Sequence, residues 1–306
     1  MQVTLVHNED SGDDGQPDSE AIAVAIRDAG HGVTSISTRD AWRAALDQAA
    51  DLVAIAGGDG TVRRVAGALV GRRVPFAILP RGTANNIATA LGLAGVSVDA
   101  IVAGWPRAVR RGLDLLIARG PWGETALIEG FGMGLFASTM AGLDARNNLP
   151  LAHVDDAAGK ISTVVDRLRA RLADYPAAAV RATLDGRDIS GAYVLIEALN
   201  IPFVGPNLHL APEADPGDGV FDVVLVSERD RRALDRYLAS RLAGRLPAAR
   251  LPLTRARHLT LDWTGFEVHL DDETWPGTTA GFSLEPGAID IRVDPRAGEF
   301  LAPAAS

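Results

Sequence analysis

Residues 52–61 read LVAIAGGDGT: a continuous apolar run ends in two glycines, an aspartate, a glycine and a threonine. Glycines permit main-chain conformations barred to other residues and let N–H groups approach an anion closely. A helix after such a turn adds the positive end of its dipole. In that arrangement Gly57, Gly58, Gly60 and Thr61 cradle phosphates, and Asp59 holds Mg²⁺ or orders the phosphates. The G-x-x-x-x-G-K-[ST] pattern is absent, so this is not a Walker loop. The plainer alternative is a tight strand-to-helix turn with Asp59 as its cap. Residues 79–88, LPRGTANNIA, repeat the layout. There Gly82 opens the turn, and Thr83 and Asn85 can reach a phosphate or a ribose; the plainer alternative is helix capping by Thr83 or Asn85. Turns at consecutive strand ends would share one rim of a sheet, where open α/β sheets bind ligands. A third constellation is residues 215–220, DPGDGV. Two aspartates around Pro-Gly make an oxygen-rich turn that suits a hard cation, with Asp218 and a backbone carbonyl as ligands. Alternatively it is an Asx turn closing a loop.

The elements that would position these turns follow from periodicity. Residues 2–7, 33–37, 52–56 and 76–79 are short apolar or β-type runs. Between them, residues 19–29, 41–48, 62–69 and 85–91 carry helical patterns, the first opened by Asp18 or Ser19 and closed by Gly30. This alternation predicts a doubly wound parallel sheet covered on both faces. Beyond about residue 110 β-type runs dominate: 113–117, 126–132, 180–184, 192–199, 220–226, 259–261, 266–270 and 288–293. Asp185-Gly186 reads as a hairpin turn, and helices are expected across 159–175 and 231–242. The second half is therefore a β-rich domain, a sandwich or open barrel.

Composition narrows the classes. The 306 residues are 47% hydrophobic and carry a net charge of −9, which speaks against a nucleic-acid role. Lys160 is the only lysine, and there is no cysteine, so disulfides, thiolate zinc sites and cysteine nucleophiles are excluded. His7, His31, His153, His209, His258 and His269 are scattered without metal-ligating spacing. No apolar run reaches the roughly 18 residues of a membrane span, and the first residues read as a strand rather than a signal peptide. A soluble, cytoplasmic protein is expected. Residues 229–257 hold nine arginines, with Leu234, Leu238 and Leu242 at helical spacing. Such a stretch could rest on anionic lipid headgroups, or be an ordinary surface helix.

In order along the chain, these segments resemble the diacylglycerol kinase catalytic-domain family, which includes bacterial lipid kinases and sphingosine and ceramide kinases. GGDGT is similar to that family's nucleotide loop, and LPRGTANNIA to its P-x-G-T-x-N-D-[FL]-A segment. Residues 7–12, HNEDSG, resemble its N-P-x-[SA]-G turn, which assigns Asn8 to the nucleotide; Thr38 sits where the family places a nucleotide-contacting threonine. Residues 211–224, APEADPGDGVFDVV, resemble A-P-x-A-x-x-x-D-G-x-[LF]-D-V, and LDDE at 270–273 followed by Pro276 resembles D-G-E…P. The ordered set is specific, whereas GGDGT alone occurs in NAD kinases and phosphofructokinases.

The resemblance implies a nucleotide-binding α/β domain over residues 1–110, like that of NAD and diacylglycerol kinases, with residues 295–306 packing back on it. It implies a β-sandwich-like lipid-substrate domain over 111–294 and ATP with Mg²⁺ in the cleft between. It also implies a structural Mg²⁺ held by Asp215, Asp218 and the Val220 carbonyl. Asp271, with Glu273 beside it, would take the proton from the acceptor hydroxyl; the plainer reading of the acids is a solvated hairpin turn. Arg63-Arg64, Asn86, Asp272 and Phe136 depart from the family's N-E, its N-D acid, the glycine of D-G-E and the aspartate of its G-F-G-x-G-x-D-A stretch. Asn200 and Gly205 align with the family's N-x-x-x-x-G-G-G loop. The expected activity is ATP-dependent phosphorylation of a lipid hydroxyl, diacylglycerol-like or sphingoid- or ceramide-like, in phospholipid metabolism. It would occur by peripheral contact at the inner face of a membrane, and a homodimer is admitted. A kinase of NAD or another soluble alcohol, though the T-A-Y-[SN]-x-S-A-G-G-P stretch is missing, and a nucleotide-sensing module without turnover are the competing readings.

Overall fold

The computed structural model describes residues 1–12, 16–48, 50–144, 156–264, 266–275 and 287–304; Pro276 and His153 lie outside them. The chain divides into two compact units, Met1–Leu113 with the segment from Arg296 on, and Asp114–Pro295.

In the first unit, strands β1 (Gln2–His7), β2 (Gly32–Ser37), β3 (Leu52–Gly57) and β4 (Phe76–Pro80) alternate with helices α1 (Ser19–Asp28), α2 (Trp42–Ala45), α3 (Asp59–Ala68), α4 (Asn86–Ala90) and α5 (Val98–Gly104). The strand order is β2-β1-β3-β4, all parallel, with His7 opposite Ser37 and Ala56, and Gly57 opposite Pro80. All four carboxyl ends are thus level and form one rim. Leu5, Val6, Leu52, Ile55, Ile78 and Leu79 are almost wholly buried, each stabilising the sheet by roughly 1.5–3 kcal/mol. Only strands covered on both faces tolerate such continuous apolar runs. The far edge of β4 is paired in parallel by the end of the last strand, with Phe300 opposite Phe76 and their rings 6.2 Å apart.

The second unit takes in most of β5 (Val109–Gly120), then β6 (Gly123–Leu127), β7 (Gly130–Gly134), helices α6 (Leu135–Asp144) and α7 (Ala157–Leu172), and β8 (Ala178–Val180), β9 (Ala182–Leu184), β10 (Arg187–Asp188) and β11 (Gly191–Leu199). After a small hairpin, β12 (Phe203–Val204) with β13 (Leu208–His209), come β14 (Phe221–Ser227), α8 (Arg231–Leu242), β15 (Leu253–Ala256), β16 (His258–Trp263), β17 (Val268–Leu270), β18 (Glu273–Trp275) and β19 (Gly287–Ala302). Two antiparallel arrays result: β10-β9-β16-β19, and β15-β14-β11-β7-β17-β18. Alternation sorts their side chains. Ile196, Ala198, Phe221 and Val223 enter the core between strands, together with Leu259, Leu261, Ile289 and Ile291. Leu195, Leu199, Val224 and Val226 pack on the other side with Leu168 and Leu172 of α7 and Leu234 and Leu238 of α8.

The expected α/β domain followed by a β-sandwich-like domain is what the chain forms. Two helices, α5 and α6, were not foreseen. The sequence VSVDAIVAG is β-branched, and only Ser97, whose hydroxyl accepts the Ala100 N–H at 3.3 Å, marks where α5 starts. Helix α6 follows directly on the glycine-rich β7, where no capping pattern announces it.

Candidate active site

On the rim of the first unit, β3 ends at Gly57 and α3 begins two residues later, inside the GGDGT motif itself. Gly58 is the N-cap in an extended conformation, and no side chain caps the helix. The Thr61 and Val62 N–H groups turn back to the Gly58 carbonyl at 2.9 and 3.0 Å. Asp59 does cap a helix, but not its own: its carboxylate accepts the Asn86 N–H at 2.9 Å and the Ile87 N–H at 3.0 Å, at the start of α4. It thereby staples the second predicted turn to the first. A side chain-to-backbone bond of this kind contributes about 1 kcal/mol.

The two turns touch backbone to backbone. A Cβ placed on Gly82 would lie 2.6 Å from the Gly58 Cα, so neither position accepts a side chain without movement. Asn85, at φ 50°, turns its amide inward: it accepts the Gly82 N–H at 2.7 Å and donates to the Gly82 carbonyl at 2.6 Å. Thr83 is exposed at the tip of that turn. Residues from three strand ends are also linked. The Asn8 amide donates to the Thr61 hydroxyl at 3.3 Å, and its oxygen accepts the Thr38 hydroxyl at 3.5 Å. The structure therefore assembles Asn8, Thr38, Gly57, Gly58, Asp59, Gly60, Thr61, Gly82, Thr83 and Asn85 on one rim. His7 beneath them is held below the ordinary imidazole range by burial, with the Arg81 cation adding to the effect.

In the second unit, Asp271 follows β17 at φ 54° and is 6% exposed. Its carboxylate accepts three main-chain N–H groups: Ile128 at 3.0 Å, and Glu129 and Gly130 at 2.9 Å each. Such an array uses the acceptor capacity a general base needs. The expectation that Asp271 takes the substrate proton therefore has a structural competitor: the side chain clamps the strap between β6 and β7. Glu273, at the start of β18, is exposed. Behind the loop, His269 Nε2 is 2.6 Å from Glu197 Oε2 and Nδ1 is 3.1 Å from the Asp271 carbonyl oxygen. Burial alone would lower the His269 pKa, but the Glu197 carboxylate reverses this and the net direction is upward. Burial likewise raises Glu197. Asn200 donates to the carbonyls of Asp114 and Ile128 at 2.9 and 3.0 Å, holding the same strap. Glu197 and His269 lie 72 residues apart in the chain, and no motif connects them.

Residues 215–220 form Asx turns. Asp215 accepts the Gly217 N–H at 3.0 Å and Asp218 the Val220 N–H at 3.1 Å. The Arg255 guanidinium stands 3.7 Å from the other Asp218 oxygen, where its charge would oppose a dication. Among the described residues no three Asp, Glu, His or Cys side chains converge in a manner that could hold a metal. The residues expected to hold a structural Mg²⁺, Asp215, Asp218 and the Val220 carbonyl, thus lie together in one turn, with each aspartate also accepting a main-chain N–H two residues on.

Comparison with known proteins identifies both halves of the chain. Residues 2–116 match the diacylglycerol kinase catalytic domain, and residues 137–293 match the YegS C-terminal NAD kinase beta sandwich-like domain. A diacylglycerol kinase of Mycobacterium tuberculosis (strain ATCC 25618 / H37Rv) is 27% identical over 83% of this chain and 80% of its own length. A protein named probable lipid kinase YegS-like, from Pseudomonas aeruginosa (strain UCBPP-PA14), is 28% identical over 95% of this chain and 93% of its own. The fold matches a crystal structure of a diacylglycerol kinase from Bacillus anthracis str. Sterne, with a TM-score of 0.71 at 19% identity, covering 99% of this chain and 97% of that one. With both domains matched in order, the chain belongs to the diacylglycerol kinase catalytic-domain family and is a lipid kinase.

Proposed function

We propose that this lipid kinase uses ATP and transfers its terminal phosphoryl group to the hydroxyl of a diacylglycerol-like or sphingoid- or ceramide-like acceptor. The observation that carries the reading is the rim on which Asn8 is hydrogen-bonded to both Thr38 and Thr61, beside the Gly58–Gly82 contact. There the main-chain N–H groups of Asp59 and Gly60, at the start of α3, take the phosphates, and the Thr61 and Thr83 hydroxyls flank them. Mg²⁺ bound with the nucleotide would offset charge on the phosphates. Phosphoryl transfer proceeds through a loose transition state, so positioning and charge neutralisation supply most of the rate. A lipid hydroxyl still needs a proton acceptor. We assign that role to Glu273, whose carboxylate is exposed, and give Asp271 the task of holding the loop that carries it.

Among the described residues no helix is long and apolar enough to cross a membrane. Access to the lipid is therefore proposed to be peripheral, from the cytoplasmic face. After α8, Leu246 is 77% exposed between the exposed Arg245 and Arg250, which suits an anionic headgroup layer. The deciding experiment offers labelled ATP with vesicles containing diacylglycerol, ceramide, a sphingoid base, a polyprenol or phosphatidylglycerol, and with NAD in solution. Label in one lipid, with vesicle binding weakened by salt, is the expected result. Label in NAD alone, or in no acceptor, would sink the proposal.

A further inference from the structure

Arg81 follows β4, between the two halves of the rim, and among the described residues its charge is unaccounted for. It is 9% exposed, and its Nε is fully buried with no hydrogen-bond partner. Burial pushes its pKa below the ordinary arginine value, and the opposing influence of Asp18 does not compensate. Among the described residues no carboxylate forms an ion pair with it. Its other titratable neighbour is His7, whose pKa burial lowers and the Arg81 charge lowers further, against Glu9. Leaving a guanidinium buried without an anion is costly, and folds keep such groups where a ligand supplies the missing charge.

The direction of the side chain follows from the strand order. The Arg81 N–H donates to the Gly57 carbonyl at 3.0 Å, which fixes its main chain beside the end of β3. At the other end, a Cβ placed on Gly12 would lie 2.6 Å from Arg81 Nη2 and 3.1 Å from Cζ. Gly12 belongs to the loop after β1, and β1 and β4 flank β3 on opposite sides. The side chain therefore reaches from the end of β4 toward the loop after β1, on the side of the sheet's carboxyl rim where β3 ends. Between these two anchors lies the end of β3, where the Gly57-Gly58 turn opens and the N-terminus of the ten-residue α3, without a side-chain cap, begins. Gly12, at φ +115°, leaves the room it needs.

We infer that Arg81 is an anion receptor of the donor site: its guanidinium takes non-bridging oxygens of the polyphosphate together with the N–H groups of α3. The inference rests on the nucleotide reading above and adds to it. In this chain part of the charge on the donor phosphates is met by a fixed, buried arginine.

The test uses the full chain with Arg81→Met, which keeps the length and removes the charge, and Arg81→Lys. Melting is measured without ligand and with inorganic pyrophosphate; binding of ATP, ADP and adenosine is measured by calorimetry. Without ligand, Arg81→Met should melt at or above the wild-type temperature, because it removes a buried unpaired charge. It should bind ATP at least about tenfold more weakly, the loss expected for one charge-assisted bond. Adenosine affinity should not change, pyrophosphate should no longer raise the melting temperature, and Arg81→Lys should recover part of the ATP affinity. Equal loss of ATP and adenosine binding, wild-type ATP affinity in Arg81→Met, or a melting temperature lowered by several degrees would each overturn the assignment. So would a wild type that ignores pyrophosphate. A wild type that binds pyrophosphate through Arg81 yet phosphorylates no lipid would instead sink the proposed function and leave the receptor standing.

Discussion

Replacing Asp271 by Asn and, separately, Glu273 by Gln distinguishes a clamp from a base. Asparagine is isosteric with aspartate and accepts the φ of 54° at this position, so the change isolates the side-chain oxygens. The amide oxygen can stand at Oδ1 and keep the Glu129 and Gly130 N–H donors, now at neutral strength. The NH₂ group then faces the Ile128 N–H at the 3.0 Å now spanned by Oδ2, donor against donor. Hydrogen bonds to a charged group contribute about 1.5–3 kcal/mol and neutral ones about 0.5–1.5, and an orphaned buried donor costs about 1–3. Relief from burying a carboxylate offsets part of this, so a loss of about 2–4 kcal/mol is expected. For a unit of this size that lowers the melting temperature by about 5–15 °C, read by thermal and denaturant melts. Glu273 is exposed, so Glu273→Gln should hold stability within about 0.5 kcal/mol while kcat falls by about 10²–10⁴. If Asp271→Asn melts like the wild type and loses turnover while Glu273→Gln keeps it, the clamp argument is wrong and Asp271 is the base.

Gly82→Ala places a methyl group 2.6 Å from the Gly58 Cα; ATP affinity should fall more than about tenfold, with a stability cost of about 1–3 kcal/mol, measured by calorimetry and melting. The buried His269–Glu197 pair gives the second unit a pH dependence. Both groups are raised, so the folded state holds their shared proton more tightly than the unfolded chain does. That stabilisation is fully present below the unfolded histidine value of about 6.5 and is lost as pH rises through the folded value. Denaturant midpoints should therefore fall from pH 6 towards pH 9, and His269→Gln should flatten that slope.

The phosphate rim was legible because it is local. Glycines at 57, 58, 60 and 82 sit at the ends of apolar runs, and parallel strands bring those ends level. What periodicity could not supply was the direction of each side chain. Asp59 reads as a metal or phosphate ligand, or as the cap of its own helix, yet it caps the helix 27 residues on. Asp215 and Asp218 read equally as cation ligands and as Asx turns; the turns form, and the neighbour that adds a positive charge beside them, Arg255, comes from the adjacent strand β15, out of reach of any local pattern. The acids at 271–273 are visible as a cluster, but the donors that occupy Asp271 lie more than 140 residues earlier. Arg81 looks like any surface arginine until its burial is known.

The pairing of Phe300 with Phe76 has a consequence for biosynthesis. A ribosome delivers four of the parallel strands within the first 80 residues, but the strand that shields their open margin only with residues near 300. Until then β4 presents a bare apolar border, the sort of margin that recruits other chains. A product stopped at Pro295 would retain every candidate site residue and still be prone to clump, so its inactivity in an expression trial would report a missing seam, not missing chemistry.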